Sequence, residues 1–236
     1  MTWKTHLIGG VQAGILLAVA TGAEPQTAVL EIGAASLGSL LPDLDHPDSK
    51  ISRSDLLIEI VSKGLSKVTK HRREVHTVWA SFLFGILIFA FLSASLLASA
   101  TGTSFLIGFA VALIVDMMGG KIGSVVGLSV FLLLPFVTNI GTIPLNMNVI
   151  TLSSIAVFLG CISHLIYDSA NRQGIMWLHP FKRKRYHFMN IQTMSREEDY
   201  FCFAMLLLTI FLFIAFKPLG LPMALNLSEI KSSIYM

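Results

Sequence analysis

Ser163-His164-Leu165-Ile166-Tyr167-Asp168-Ser169-Ala170-Asn171 continues a long apolar helix predicted over residues 149–166. His164 and Asp168 lie four residues apart and Asn171 seven beyond His164, so a helix carries all three on one face. An imidazole, a carboxylate and an amide are costly against lipid, which turns that face toward polar company. Three kinds fit: a His–Asp hydrogen bond joining helices, a ligand His oriented by the Asp behind it, or a metal ion held by both. Ligation by both is the favoured reading.

Outward from this helix the chain is lipid-soluble in character. Its 236 residues are 54% hydrophobic and 13% charged, with mean hydropathy +0.72, against about 25% charged in soluble domains. Apolar runs cover residues 7–23, 27–41, 78–100, 105–118, 122–137, 149–166 and 201–216. Several approach the roughly 20 residues that span a bilayer; the first two and the fourth are short or interrupted, as re-entrant, tilted or interfacial segments are. The expected fold is all-α, one polytopic membrane helical bundle over residues 1–236 with five to seven spans and cytoplasmic interfacial loops.

Basic residues set the orientation, because Lys and Arg are retained on the cytoplasmic side during insertion. Segment 43–74 carries Lys50, Arg53, Lys63, Lys67, Lys70, Arg72 and Arg73; segment 171–199 carries Arg172, Lys182, Arg183, Lys184, Arg185 and Arg196. Both are expected inside. With seven spans Lys4 and Lys121 join them, leaving only Lys217 and Lys231 of the 17 basic residues outside. A net charge of +3, carried in loops beside membrane runs, argues against nucleic acid as a partner and for membrane lipid headgroups. Nothing in the pattern sets the oligomeric state. Cys161 and Cys202 fall in apolar runs as inert thiols, without disulfide or zinc-knuckle spacing. Lys4 and Ala20-Thr21-Gly22-Ala23 loosely match a signal peptide, but a single charge precedes the run and Gln12 interrupts it. Leu56, Leu57, Ile60, Val61, Leu65 and Val68 repeat with a helical period, which fits an amphipathic helix along the membrane surface.

Two more polar clusters sit at the edges of apolar runs. In Leu40-Leu41-Pro42-Asp43-Leu44-Asp45-His46-Pro47 the prolines impose an extended or turn backbone; if extended, Asp43 and Asp45 point the same way. The bland alternative is a solvated loop, yet such a concentration of carboxylates in so uncharged a chain favours a metal. In His71-Arg72-Arg73-Glu74-Val75-His76-Thr77 the two imidazoles are five apart and on a continuous helix diverge by about 140°, so a turn is needed to unite them. A membrane-flanking anchor accounts for Arg72 and Arg73 but not for two His. His6 is either a ligand or an interfacial residue. Glu31 and Asp116 lie nearer run interiors and stay unassigned, while His179 and His187 sit among cations, where headgroup contact is the better reading.

These clusters, with Thr5-His6-Leu7 before them and Gly174, Trp177 and Pro180 after, resemble the LexA-regulated, inner-membrane-associated metal-dependent hydrolases, the YdjM-like family. The similarity runs from residue 5 to 180 and more weakly through Glu197, Glu198 and Asp199. One departure stands out: the family's His-Arg-Gly-x-Thr-His-Ser reads with Arg73, Val75 and Thr77 in place of its Gly, Thr and Ser. The His-x-x-x-Asp helix is also similar to one in the all-helical zinc phospholipase C fold.

Together these readings imply a metal-dependent hydrolase, phospholipase-like or phosphoesterase-like, in the cell inner membrane with its site facing the cytoplasm. His6, Asp43, His71, His76, His164 and Asp168 are the expected ligands of a divalent metal, zinc or manganese, since mixed nitrogen and oxygen donors suit these better than magnesium or calcium. Asp45 is expected to ligate or to act as general base, Arg72 to hold a phosphate or carboxylate through its planar fork, and Asn171 to orient substrate. A phosphoester or ester of a lipid-like molecule is the most economical substrate at that depth. A metal-binding transporter or a structural membrane protein is the alternative; Glu31, Asp116, Gly119 and Gly120 are the hints toward transport.

Overall fold

Gly22 ends the first apolar run. It adopts the left-handed conformation (φ 62), and its N–H and that of Ala23 close onto the Val19 and Ala18 carbonyls, terminating helix α1 (Trp3–Thr21). Pro25, preset for a first helical turn, then opens α2 (Pro25–Gly38). This computed structural model describes residues 1–46, 48–49, 51–53, 56–69, 72–97 and 146–216. The apolar runs 105–118 and 122–137 lie outside the described residues, as do His71, Asp116, Gly119, Gly120 and Lys121.

Beyond α2 come two 3-10 segments, Leu41–Asp45 and Ile51–Arg53, then α3 (Leu56–Val68), α4 (Val78–Leu97), α5 (Met147–Ser169) and α6 (Arg196–Phe216). The described residues hold no strand; residues 170–195 form an irregular loop with isolated bridges Asn171–Ile191 and Ile175–Tyr186. The all-α class therefore stands. Two described helices, α5 and α6, are long and apolar enough to cross a membrane, and α4 has a shorter apolar stretch, Val78–Ala94. By contrast α2, with 14 residues, rises only about 21 Å, short of a hydrocarbon core of about 30 Å.

α5 is the central post, flanked by α1, α2 and α4. Its inward face, Ala156, Val157, Cys161 and Leu165, is fully buried. The approach to α2 is as close as backbones allow, because a Cβ on Gly160 would strike the Ala35 carbonyl and one on Gly38 would strike the Val157 backbone. Small residues at such crossings are how membrane helices gain packing contact. α6 lies on α1, tied by Gln12, whose Nε2 donates to the Met205 carbonyl (2.9 Å) and the Thr209 hydroxyl (3.0 Å). The rest of α6 exposes apolar side chains such as Phe203, Leu207 and Phe211, a surface that suits lipid rather than water.

Candidate metal centre

The α2–α5 crossing decides which side chains meet beside the end of α2. One turn beyond Gly160, His164 faces the first residue after α2, and the Ser39 carbonyl sits 2.7 Å from its Nδ1. A carbonyl only accepts, so Nδ1 carries the proton and the Nε2 lone pair is turned toward Asp43, His76 and Asp168. Such a bond behind an imidazole fixes the tautomer and ring direction of a metal ligand. Asp168, the next turn of α5, brings Oδ2 to 3.6 Å from the same Nε2.

Pro42 shapes the second contribution. The segment Leu41–Asp45 is a 3-10 turn, not extended, and with about three residues per turn side chains two apart diverge by about 120°. Asp43 and Asp45 therefore flank one imidazole from different sides instead of pointing together. Asp43 Oδ1 lies 3.7 Å from His76 Nε2, and Asp45 Oδ2 lies 3.5 Å from His76 Nδ1. Ser49 and Ser52 hydroxyls brace the turn by donating to the Asp43 carbonyl at 2.9 and 3.4 Å.

His76 arrives from the turn that precedes α4. Arg72 adopts the left-handed conformation (φ 62), so the strained residue is Arg72 and not Arg73, which replaces the family glycine. Thr77 caps α4 by accepting from the Ala80 N–H at 3.1 Å, and the Val78 N–H reaches the Trp177 carbonyl at 3.1 Å. The imidazole is fully buried, with Nε2 3.2 Å from His164 Nε2 and 3.6 Å from Asp168 Oδ2.

His6, from the first turns of α1, completes the group. Its ring stacks on His164 at 3.6 Å between centroids, and Nε2 stands 3.4 Å from Asp168 Oδ1. Neither ring nitrogen of this fully buried side chain is in hydrogen-bond geometry with a partner among the described residues. Asp168 Oδ1 also accepts from the Met1 amino group at 2.6 Å and faces Arg72 Nη2 at 3.6 Å.

Do these residues fit a cation? One tetrahedral ion with bonds of about 2.0–2.2 Å to nitrogen and oxygen sets its donors about 3.3–3.6 Å apart. The contacts linking His164, His76, Asp43 and Asp168 run from 3.2 to 3.8 Å. Both the sets His76–His164–Asp168 and His6–Asp43–His164 keep their donor atoms within 4.8 Å. His164 belongs to both and offers a single Nε2 lone pair, so the two sets share one centre. The buried carboxylates of Asp45 and Asp168 and the partly buried one of Asp43 also repel unless cations compensate them.

Titration follows from the same contacts. For His76, burial pushes the pKa down, but hydrogen bonds with Asp43 and Asp45 and the Asp168 charge outweigh it and raise the value from 6.5 to about 9. At Asp43, burial favours the neutral acid, yet His164, His76 and His6 hold the carboxyl well below its usual range. Without metal, charged His76 contributes stability in full below pH 6.5 and loses it as pH rises through about 9. Metal must displace that proton. Calorimetric titration of the metal-free protein with zinc at pH 7–8 should show an enthalpy that varies with buffer ionisation, corresponding to about one proton released per ion; a buffer-independent enthalpy contradicts this.

The remaining expected residues fall around this core. Arg72 Nη1 donates to Asn171 Oδ1 (3.4 Å) and Gln173 Oε1 (3.0 Å). Asn171 in turn accepts from the Gln173 N–H and donates to the Thr193 hydroxyl at 2.7 Å, so its amide braces the arginine. His46 Nδ1 accepts from the Asp48 N–H at 3.1 Å and is outside both donor sets. His179 pairs with Arg73 at 3.2 Å. Glu31 meets the Thr21 hydroxyl at 3.4 Å, fifteen residues along α1 from His6 and so about 22 Å away along the helix. Gln173 and the Ser39 carbonyl were not anticipated: a carbonyl exists at every residue, and nothing about Gln173 in the linear sequence marks it.

Comparison with known proteins follows the same outline. The family model described as YdjM inner membrane protein matches residues 1–154 and 125–221. A protein of Bacillus subtilis (strain 168), "Uncharacterized protein YvsG", is 34% identical over 116 residues, which cover 49% of this chain and 66% of that protein. No solved structure matches. With its helices, apolar surfaces and nearly its whole length matched, the chain belongs to the YdjM inner membrane protein family.

Proposed function

We propose that this membrane protein is a metal-dependent hydrolase acting at the cytoplasmic interface on a phosphoester or ester of a lipid-like molecule. One observation carries the reading: donor atoms from α1, the 3-10 turn, the turn before α4, and α5 come together with neighbouring donors 3.2–3.8 Å apart. His76, His164, Asp43 and Asp168 are the proposed ligands of a zinc or manganese ion, with His6 as a fifth donor. When bound, such an ion supplies Lewis acidity, activating water and polarising the oxygen of the bond to be cut.

The chain's own residues divide the other tasks. Asp45, behind the His76 ring, orients that ligand by accepting a hydrogen bond from its Nδ1–H. Asp43 is 16% exposed whereas His6, His76 and Asp45 are fully buried, so water and substrate reach the centre past Asp43. Arg72, clamped by Asn171 and Gln173, presents a planar cation beside Asp168 for a phosphate or carboxylate. The basic segments on either side of the site argue for the cytoplasmic face.

A structural ion is the second reading, favoured by the burial of every donor except Asp43, since closed sites are the structural kind. Turnover separates the two. In nanodiscs, the protein is expected to cleave one of a panel of phospholipids and chromogenic phosphodiesters or esters, to lose that activity to chelator and to regain it with zinc or manganese. Stoichiometric metal without turnover on any of them supports the structural ion, and turnover indifferent to chelator sinks both.

A further inference from the structure

We propose that the loop over residues 181–188 is a docking site for the headgroups of anionic phospholipids. Lys182, Arg183, Lys184 and Arg185 follow one another and are all exposed, and no acidic residue occurs between Asp168 and Glu197. This charge is therefore uncompensated along 28 residues of chain. Apolar side chains bracket it, with Phe181 78% and Phe188 61% exposed. A cationic row between exposed aromatic rings is unfavourable in water alone and matches the membrane interface, where rings enter the headgroup layer and cations meet phosphate.

The fold sets the depth of the loop. The Val78 N–H, at the start of apolar α4, bonds the Trp177 carbonyl at 3.1 Å, and the Phe188 N–H bonds the Ser169 carbonyl, at the end of α5, at 2.9 Å. Phe181 packs edge-on to Trp79 at 5.7 Å, and Trp79 belongs to the exposed apolar face that α4 presents with Phe82 and Ile86. The loop is thus bolted to the ends of two apolar helices, where lipid tails give way to headgroups. Arg185 is partly spoken for, since Nη1 donates to the Gln173 and Gly174 carbonyls at 3.2 and 3.5 Å. Lys182, Arg183 and Lys184 are the headgroup-binding cations.

The test uses the full chain in mixed micelles with equal phosphatidylglycerol and phosphatidylcholine, counting retained lipids by native mass spectrometry. Wild type is expected to retain phosphatidylglycerol at least about threefold over phosphatidylcholine, a fraction of the fivefold that one basic residue supplies at an anionic surface. K182Q/R183Q/K184Q should lose that preference, while K182R/K184R, which preserves the positive charge, should keep it. Metal content and helical signal of each variant report folding independently of lipid. Absence of preference in wild type, or its survival in the triple variant, overturns the proposal; neither outcome depends on whether the metal centre turns over substrate.

Discussion

His164→Ala is expected to abolish metal retention, lowering bound zinc or manganese from about one ion per chain to background. The side chain serves both donor sets with its single Nε2, and its Nδ1–H is committed to the Ser39 carbonyl at 2.7 Å. Its loss removes a ligand and leaves that buried carbonyl without its donor. Asp45→Asn should be milder, because Asp45 touches His76 only from behind, at Nδ1; changes to such supporting groups typically cost 10–100-fold in metal affinity. His164→Ala should exceed that range. Competition with a metal-binding dye on proteins of matched helical content checks the order, and equal affinities in the three proteins would exclude His164 as a ligand.

Gly160→Leu is expected to lose both stability and metal although it alters no ligand. A Cβ at residue 160 already collides with the Ala35 carbonyl, and the obstruction is backbone, which cannot rotate aside. Overpacking of this kind costs about 1–3 kcal/mol and more where nothing can yield. Prising α5 from α2 would also separate His164 from Ser39 and Asp43. Gly33→Ala is the matching control, since nothing stands within 4 Å of its new methyl and a helical Gly-to-Ala change contributes up to about 1 kcal/mol. Thermal unfolding in detergent should lower the melting temperature of Gly160→Leu and leave Gly33→Ala at or above wild type. A Gly160→Leu protein that melts normally and holds its metal would show that the helix crossing does not position the site.

How far this was legible in the sequence varies from residue to residue. The face shared by His164 and Asp168 was readable because four-residue spacing is fixed by the helix itself, and α3 was readable from its apolar period. Long-range geometry was not. Pro42 signalled an irregular backbone but could not choose between an extended strand and the 3-10 turn observed, and that choice decides whether Asp45 faces a shared ion with Asp43 or stands behind His76. Sequence marks Arg73 as the departure from the family's glycine, whereas the left-handed residue of this turn is its neighbour Arg72 (φ 62). Asn171 was expected on the same helical face, but α5 ends at Ser169 and Asn171 lies in the loop beyond it, bridged to Ile191, where its partners Gln173 and Thr193 come from a stretch without periodicity. His71 lies outside the described residues.

The most direct measurement is an anomalous diffraction map from crystals of the full chain grown with zinc and recorded at the zinc absorption edge. A single strong peak within about 2.0–2.2 Å of His76 Nε2, His164 Nε2 and carboxylate oxygens of Asp43 and Asp168 is the result expected. No peak there at saturating zinc, or a peak coordinated elsewhere with these four side chains bonded only to one another, would contradict the claim that the 3-10 turn, the turn before α4 and α5, three separate stretches of chain, converge to hold one ion.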